Sequence, residues 1–328
     1  MRFLKHDKWM VKMKFLLLLF LFFSSTQVAV IAHEQFIAYT HAKEEFIETN
    51  GQKFFCRIMG KGDPIVVIHG GAGLSQAYLL PQMERLKEHN LVIFYDQRNC
   101  GRSVGTFNEQ FITVDTFVSD LDAIRKAFGY KKITILGHSF GGFLAVRYAI
   151  AHPEAIDKLI LLNTAPISSE GWMAFLQEYE RRTKPYQGTL KAIEATREFQ
   201  ENDPKIMEEY YRIIFRSYFY AAQKEEFLNL AMSQQAFANG KKVLTILANS
   251  LLAQPFDLHE QLKKLTIPTL IIHGDYDMVP YDVAEKIHES ISNSQYVLLK
   301  HCGHFSYIEA PEQLFILINN FMHAKQLN

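Results

Sequence analysis

Ile133-Thr134-Ile135-Leu136-Gly137-His138-Ser139-Phe140-Gly141-Gly142 carries an apolar β-type run straight into a glycine-flanked serine, and a helix-forming stretch from Phe140 to Ala151 follows. Gly-x-Ser-x-Gly between a strand and a helix places the serine on a very sharp turn with its Oγ exposed. Glycine two before and two after lets strand and helix pass without a Cβ clash. The helix start below the serine aims free N–H groups at developing negative charge. Ser139 is therefore the candidate nucleophile.

Outward from this turn the pattern alternates. Glu45–Thr49 and Lys53–Ile58 flank Asn50-Gly51, a hairpin signal. Pro64–Ile68 and Leu91–Tyr95 are short apolar runs of the buried-strand type, with a helix expected over Leu79–Glu88 between them. Thr113–Phe128 has helical spacing, with Val114, Phe117, Val118, Leu121, Ile124 and Phe128 on one face. Further strands follow at Lys158–Leu162, Thr269–Ile272 and Gln295–Leu299, and a last helix at about 311–325. Alternating strands and helices predict an α/β fold, a mostly parallel sheet with helices on both faces. Residues 166–262 interrupt the rhythm. They are rich in Glu, Lys, Phe and Tyr at helical spacing, without a convincing strand. Because the alternation resumes after them, they read as an inserted helical cap rather than a separate domain. The core is then 33–165 and 263–328.

The chain has 328 residues, with 35 Lys and Arg against 35 Asp and Glu. Nothing in that balance argues for nucleic acid. The charge is uneven: residues 1–32 hold Arg2, Lys5, Lys8, Lys12 and Lys14 against Asp7, a net of +4, leaving −4 for the remainder. The basic residues precede the apolar run Phe15–Phe23, and Val30-Ile31-Ala32 has the small residues a signal peptidase inspects. Residues 1–32 are expected to be a signal peptide, starting at Met1 or Met13, with the mature protein periplasmic or secreted. The rival reading is an uncleaved anchor over residues 15–32, the one case in which membrane contact is expected; Ser24, Ser25, Thr26 and Gln27 interrupt that stretch. The three cysteines, Cys56, Cys100 and Cys302, form neither a disulfide framework nor a zinc pattern.

Four further segments bear on the chemistry. His69-Gly70-Gly71-Ala72-Gly73 follows one strand, and Asp96-Gln97-Arg98-Asn99-Cys100-Gly101-Arg102-Ser103 follows the next. Gly274-Asp275-Tyr276-Asp277-Met278-Val279-Pro280 and His301-Cys302-Gly303-His304-Phe305 lie after later strands. A serine needs a base within reach and an acid that holds the base in the right tautomer.

With these motifs in this order, residues 44–325 resemble the α/β-hydrolase superfamily, and Asp96–Ser103 looks like the Asp-Gln-Arg-Gly-Cys-Gly-Arg-Ser signature of proline iminopeptidases, with Asn99 in place of Gly. The resemblance implies the order nucleophile, acid, base. Asp277 matches the Gly-x-x-Asp position, with Asp275 as its rival. His304 matches the Gly-His position before the final helix, with His301 as its rival. It further implies an oxyanion hole from the N–H groups of Gly71 and Phe140, and a supporting role for Asp96–Ser103. The elbow departs from the Gly-Gly-Ser-Trp-Gly common in proline iminopeptidases, since His138 and Phe140 are of a kind frequent in esterases.

The resemblance implies a serine hydrolase working through an acyl-enzyme without metal or organic cofactor. The leading activity is a proline iminopeptidase-like aminopeptidase on short peptides; a carboxylesterase on small acyl esters is the alternative, and a non-enzymatic ligand sensor the third. An aminopeptidase must bind an ammonium with fixed carboxylates. In that group cap glutamates do so, and this cap offers Glu170, Glu178, Glu180, Glu194, Glu198, Glu201, Glu208, Glu209, Glu225 and Glu226, although most helix glutamates are simply solvated and no specific pair stands out. The aromatic stretch Ile206–Tyr220 is a candidate pocket wall or cap core. Cys302 beside His304 and Cys100 in an adjoining loop make thiol reagents candidate inhibitors. The sequence does not indicate an oligomeric state.

Overall fold

A computed structural model describes residues 42–324. Eight strands form one sheet: β1 (Lys43–Thr49), β2 (Gln52–Gly60), β3 (Pro64–Ile68), β4 (Leu91–Tyr95), β5 (Ile133–His138), β6 (Ile156–Leu162), β7 (Thr269–Gly274) and β8 (Ser294–Leu299). Their spatial order is β1-β2-β4-β3-β5-β6-β7-β8. β2 pairs antiparallel with β1 and β4, and all other neighbours are parallel. The β1–β2 turn has positive φ at both Asn50 and Gly51. That backbone twist matches the flanking strands, which is why Asn-Gly specifies this hairpin.

Among the described residues the eleven α-helices are α1 (Val114–Ala127), α2 (Phe140–Ala151), α3 (Ser169–Thr183), α4 (Gln187–Glu194), α5 (Arg197–Gln200), α6 (Pro204–Arg216), α7 (Gln234–Leu252), α8 (His259–Leu262), α9 (Tyr281–Ser290), α10 (Ser306–Glu309) and α11 (Pro311–His323). Period-two alternation sends Val66 and Ile68 to one apolar layer, with residues of α1, α2 and α9. Ile65 and Val67 go to the other, with residues of α10 and α11. Thr113 caps α1 by accepting from the Thr116 N–H.

Two local expectations change. The helix expected over Leu79–Glu88 is two 3-10 turns, Gln76–Leu79 and Gln82–Glu88. Pro81 is the cause: a residue before proline is pushed out of the helical region, and Leu80 is extended at φ −109° and ψ 148°. α9, which the strand-centred reading passed over, starts after Pro280 and buries Val283, Ala284 and Ile287.

Between β6 and β7 the chain runs through α3–α8 with one isolated bridge, Ser168 to Asp257. The two ends of this segment lie side by side: Ser169 N–H donates to the Phe256 carbonyl at 2.9 Å, and Phe256 N–H to Ser169 Oγ at 2.9 Å. Among the described residues no helix is long and apolar enough to cross a membrane. The expected signal segment, residues 1–32, lies outside the described residues.

Candidate active site

Ser139 sits where β5 ends and α2 begins, at φ +56° and ψ −123°. A non-glycine residue there is strained, and tight packing holds it. A Cβ on Gly137 would come within 3.0 Å of the Gly141 backbone, and one on Gly141 within 3.0 Å of the Ile68 carbonyl. Ser139 N–H donates to the Leu162 carbonyl at 3.1 Å, and its carbonyl accepts from Ala165 N–H at 2.9 Å. Phe140 opens α2, so no turn of that helix can engage its N–H.

The loops after β7 and β8 bring Asp277 and His304 together. His304 Nδ1 lies 2.8 Å from Asp277 Oδ1. The second carboxylate oxygen accepts from Asn163 Nδ2 at 2.7 Å, and Val279 N–H donates to Oδ1 at 2.9 Å. Burial by itself would raise the Asp277 carboxyl. The charges of His304 and His273 and the hydrogen bonds from His304 and Asn163 outweigh it, and hold the carboxyl well below the usual carboxylate range. The rivals stand apart. Asp275 accepts from Cys302 N–H at 3.3 Å, and His301 is exposed.

Ser139, His304, Gly71 and Phe140 all line one cavity of about 420 Å³. Gly71, at φ +55°, sits in the turn after β3. The rest of the wall is apolar and aromatic, and among the described residues no Asp, Glu, Lys or Arg lines it. Tyr211, Ile214, Phe215 and Tyr218 of the expected aromatic stretch face this cavity. Phe219 is buried against Phe305 and Tyr220 is exposed, so the stretch is part wall and part packing. None of the ten cap glutamates reaches the wall. Glu178 is taken by Arg181 and Arg182, Glu225 by Arg216, and Glu194 by the Tyr210 hydroxyl. Glu208 and Glu209 line a separate surface depression with Arg212 and Lys205.

The Asp96–Ser103 loop braces the site from behind. Gln97 N–H donates to His69 Nε2 at 3.1 Å, and Gln97 Nε2 donates to the His69 carbonyl at 2.6 Å. Asp96 accepts from Gln76 N–H at 2.8 Å and Arg102 N–H at 2.7 Å. Arg98 donates twice to Asp120, at 2.8 and 2.6 Å. Asn99, where the signature carries Gly, adopts φ +58°. All three cysteines are free and buried.

The sequence reading missed three supporting residues. Asn163, at φ +45° after β6, donates to Asp277 and to the Gly303 carbonyl, and accepts from Ser306 Oγ at 2.6 Å. Arg182 of α3 donates to the carbonyls of Tyr276 and Asp277 at 2.7 and 3.0 Å. Glu309 accepts from Gly303 N–H at 2.6 Å. The position of Asn163 at the end of an apolar strand was the one available signal.

The family model described as alpha/beta hydrolase fold matches residues 63–311. The chain belongs to this α/β-hydrolase family. This α/β-hydrolase is 30% identical over 279 residues to a proline iminopeptidase of Saccharolobus solfataricus, spanning 81% of the chain and 86% of that protein. It is 29% identical over 296 residues to a proline iminopeptidase of Heyndrickxia coagulans, spanning 86% of the chain and 99% of that protein. The solved proline iminopeptidase of Mycobacterium smegmatis shares the fold at a TM-score of 0.63 and 19% identity, over 86% of this chain and 98% of that one. The α/β-hydrolase described here is thus a proline iminopeptidase-like enzyme, a serine hydrolase.

Proposed function

We propose that this α/β-hydrolase cleaves its substrate through an acyl-enzyme, with Ser139 as nucleophile, His304 as general base and Asp277 as the acid that orients it. The observation that carries this reading is the 2.8 Å His304–Asp277 pair facing the cavity that Ser139 lines. Asp277 accepts a hydrogen bond from the Nδ1–H of His304, which fixes that tautomer and leaves Nε2 as the base. His304 removes the Ser139 proton as Oγ attacks a carbonyl carbon, and then protonates the leaving group. Water repeats the sequence on the acyl-enzyme. The N–H groups of Gly71 and Phe140 stabilise the oxyanion in each half.

The lining supports an ester with an uncharged, apolar acyl group. A bound ammonium against an apolar wall costs more than it returns unless a carboxylate pairs with it, and among the described residues no carboxylate lines this cavity. The second reading, a short peptide with a free N-terminus, is supported by the names of the relatives. A panel of p-nitrophenyl esters against prolyl and alanyl arylamides separates the two. Ester turnover with silent arylamides is expected; efficient prolyl arylamide cleavage would reverse the order. A fluorophosphonate probe should label the wild type and not Ser139→Ala.

Residues 166–262 are proposed as a cap on a core of 33–165 and 263–328, supported by the paired ends of the segment. Export through residues 1–32 is likewise a proposal, tested by the N-terminal sequence of the mature protein.

A further inference from the structure

The residue before the nucleophile has a role that the reaction scheme leaves unassigned. His138 is fully buried at the end of β5. Its Nε2 lies 2.9 Å from the carbonyl oxygen of His304. A carbonyl only accepts, so Nε2 carries the proton. Nδ1 is then a bare lone pair, and the Tyr78 hydroxyl, 2.7 Å away, must donate to it. The same hydroxyl accepts from Gly70 N–H at 2.6 Å. The result is one directed chain: Gly70 N–H to Tyr78 Oη–H to His138 Nδ1, and His138 Nε2–H to the His304 carbonyl. No polar atom in either side chain is left over.

Burial, with His304 second, pushes His138 down to about 3, and burial pushes Tyr78 up. Neither group titrates near neutrality, so the chain keeps its direction. Packing holds the ring as well. His138 stacks on Phe305 at 6.0 Å and meets Tyr307 edge-on at 5.5 Å, and the Tyr307 hydroxyl donates to the Tyr78 carbonyl at 3.0 Å.

We infer that His138 and Tyr78 are positioning residues that hold the oxyanion turn, the elbow and the base loop in mutual register. Gly70 precedes Gly71, His138 precedes Ser139, and His304 is itself the base, so each end of the chain stops one residue or less from a reacting group. A glycine at 138, as in the proline iminopeptidase elbow pattern, has no side chain with which to make this link. The brace therefore belongs to this chain and not to that pattern. The inference rests on the catalytic roles proposed above for Gly71, Ser139 and His304.

Tyr78→Phe keeps the ring and removes only the hydroxyl. It is expected to lower kcat on p-nitrophenyl butyrate by about 10- to 100-fold with KM changed less than about threefold, because misplacing reacting groups by a fraction of an ångström acts on the transition state. Labelling by the fluorophosphonate should slow by a similar factor. His138→Leu should cost at least as much, and adding Tyr78→Phe to it should cost little more. His138→Gln, whose amide still reaches the His304 carbonyl, should recover part of the loss. A folded Tyr78→Phe with kcat and labelling rate within twofold of wild type, or single losses that simply multiply in the double variant, would overturn the inference. If the wild type is not labelled at Ser139 at all, it is the catalytic reading that fails.

Discussion

Gly73 and Gly240 meet backbone to backbone: a Cβ on either would lie closer than 3.0 Å to the other's carbonyl oxygen. Gly73 ends the turn that holds Gly71, and Gly240 is in the middle of α7. The segment between β6 and β7 thus rests directly on the proposed oxyanion turn. Gly240→Ala gains about 1 kcal/mol of helix propensity. It also forces apart two backbones that cannot rotate out of the way, and overpacking of this kind costs about 1–3 kcal/mol. The clash should win. A lower urea midpoint and reduced ester turnover are expected, and an unchanged midpoint with full activity would show that the contact is loose.

Asp277→Asn should lower kcat by about 10⁴-fold with little effect on KM, because an amide no longer selects the Nδ1–H tautomer of His304. The carboxylate accepts from His304, Asn163 and Val279. Steady-state kinetics on a p-nitrophenyl ester read this directly. A loss below tenfold would transfer the acid role elsewhere, with Asp275 the first to examine.

The Arg98–Asp120 pair is almost fully buried. Burial raises the Asp120 carboxyl in spite of the guanidinium beside it. Breaking such a pair from one side strands a charge, at about 3–5 kcal/mol, whereas replacing both partners with apolar residues is often close to neutral. Denaturant melts of Arg98→Met, Asp120→Leu and the double variant should show two large losses and a smaller one. Two small single losses would mean that water reaches the pair.

His138 should also make the fold acid-sensitive. Its pKa falls from 6.5 to about 3 on folding. Below pH 6.5 the unfolded chain therefore binds a proton that the folded chain refuses, and stability drops as pH falls until about 3. His69, pushed down to about 4 by burial, acts in the same sense, while Asp96, raised to about 6 by burial, acts in the opposite one. Both are unchanged in His138→Gln. The difference between the two proteins should therefore change by about 1.4 kcal/mol per pH unit between pH 6 and 4. Parallel stability curves would show that His138 takes its proton in the folded state.

The expected sensitivity to thiol reagents is reversed. Cys100 and Cys302 adjoin the site in sequence but are buried, and burial pushes Cys56 up to about 12 and the other two higher still. Thiolate, the reactive species, is scarce and unreachable. Iodoacetamide should leave the native protein active and unmodified, and should react with three thiols once it is unfolded. Labelling of the native state would point to local opening at these loops.

Short-range patterns were read from the chain with little error. Asn50-Gly51 specified its hairpin, Thr113 its helix start, and Gly137–Gly141 the elbow, because each acts within a few residues through backbone sterics or a single capping bond. The continuous helix expected over Leu79–Glu88 is instead broken at Leu80, because Pro81 pushes the residue before it out of the helical region. The cap glutamates could not be told apart in sequence for a different reason: a carboxylate's availability depends on which arginine or tyrosine lies opposite, and while Glu178 meets Arg181 and Arg182 of its own helix, Glu225 and Glu194 meet Arg216 and Tyr210 from other elements.

The sequence by itself determined the layered α/β fold, the elbow and the order of the chemical motifs along the chain. Strand periodicity and turn chemistry are local properties, and local sterics enforce them. Only the tertiary structure decided that Asn163 bridges the Asp277 and His304 loops, that Tyr78 and His138 link Gly70 to His304, and that among the described residues no carboxylate faces the cavity. Those relationships join residues up to 166 positions apart. They arise where separate strands end side by side, a proximity that pairing in the sheet creates and that no stretch of sequence contains.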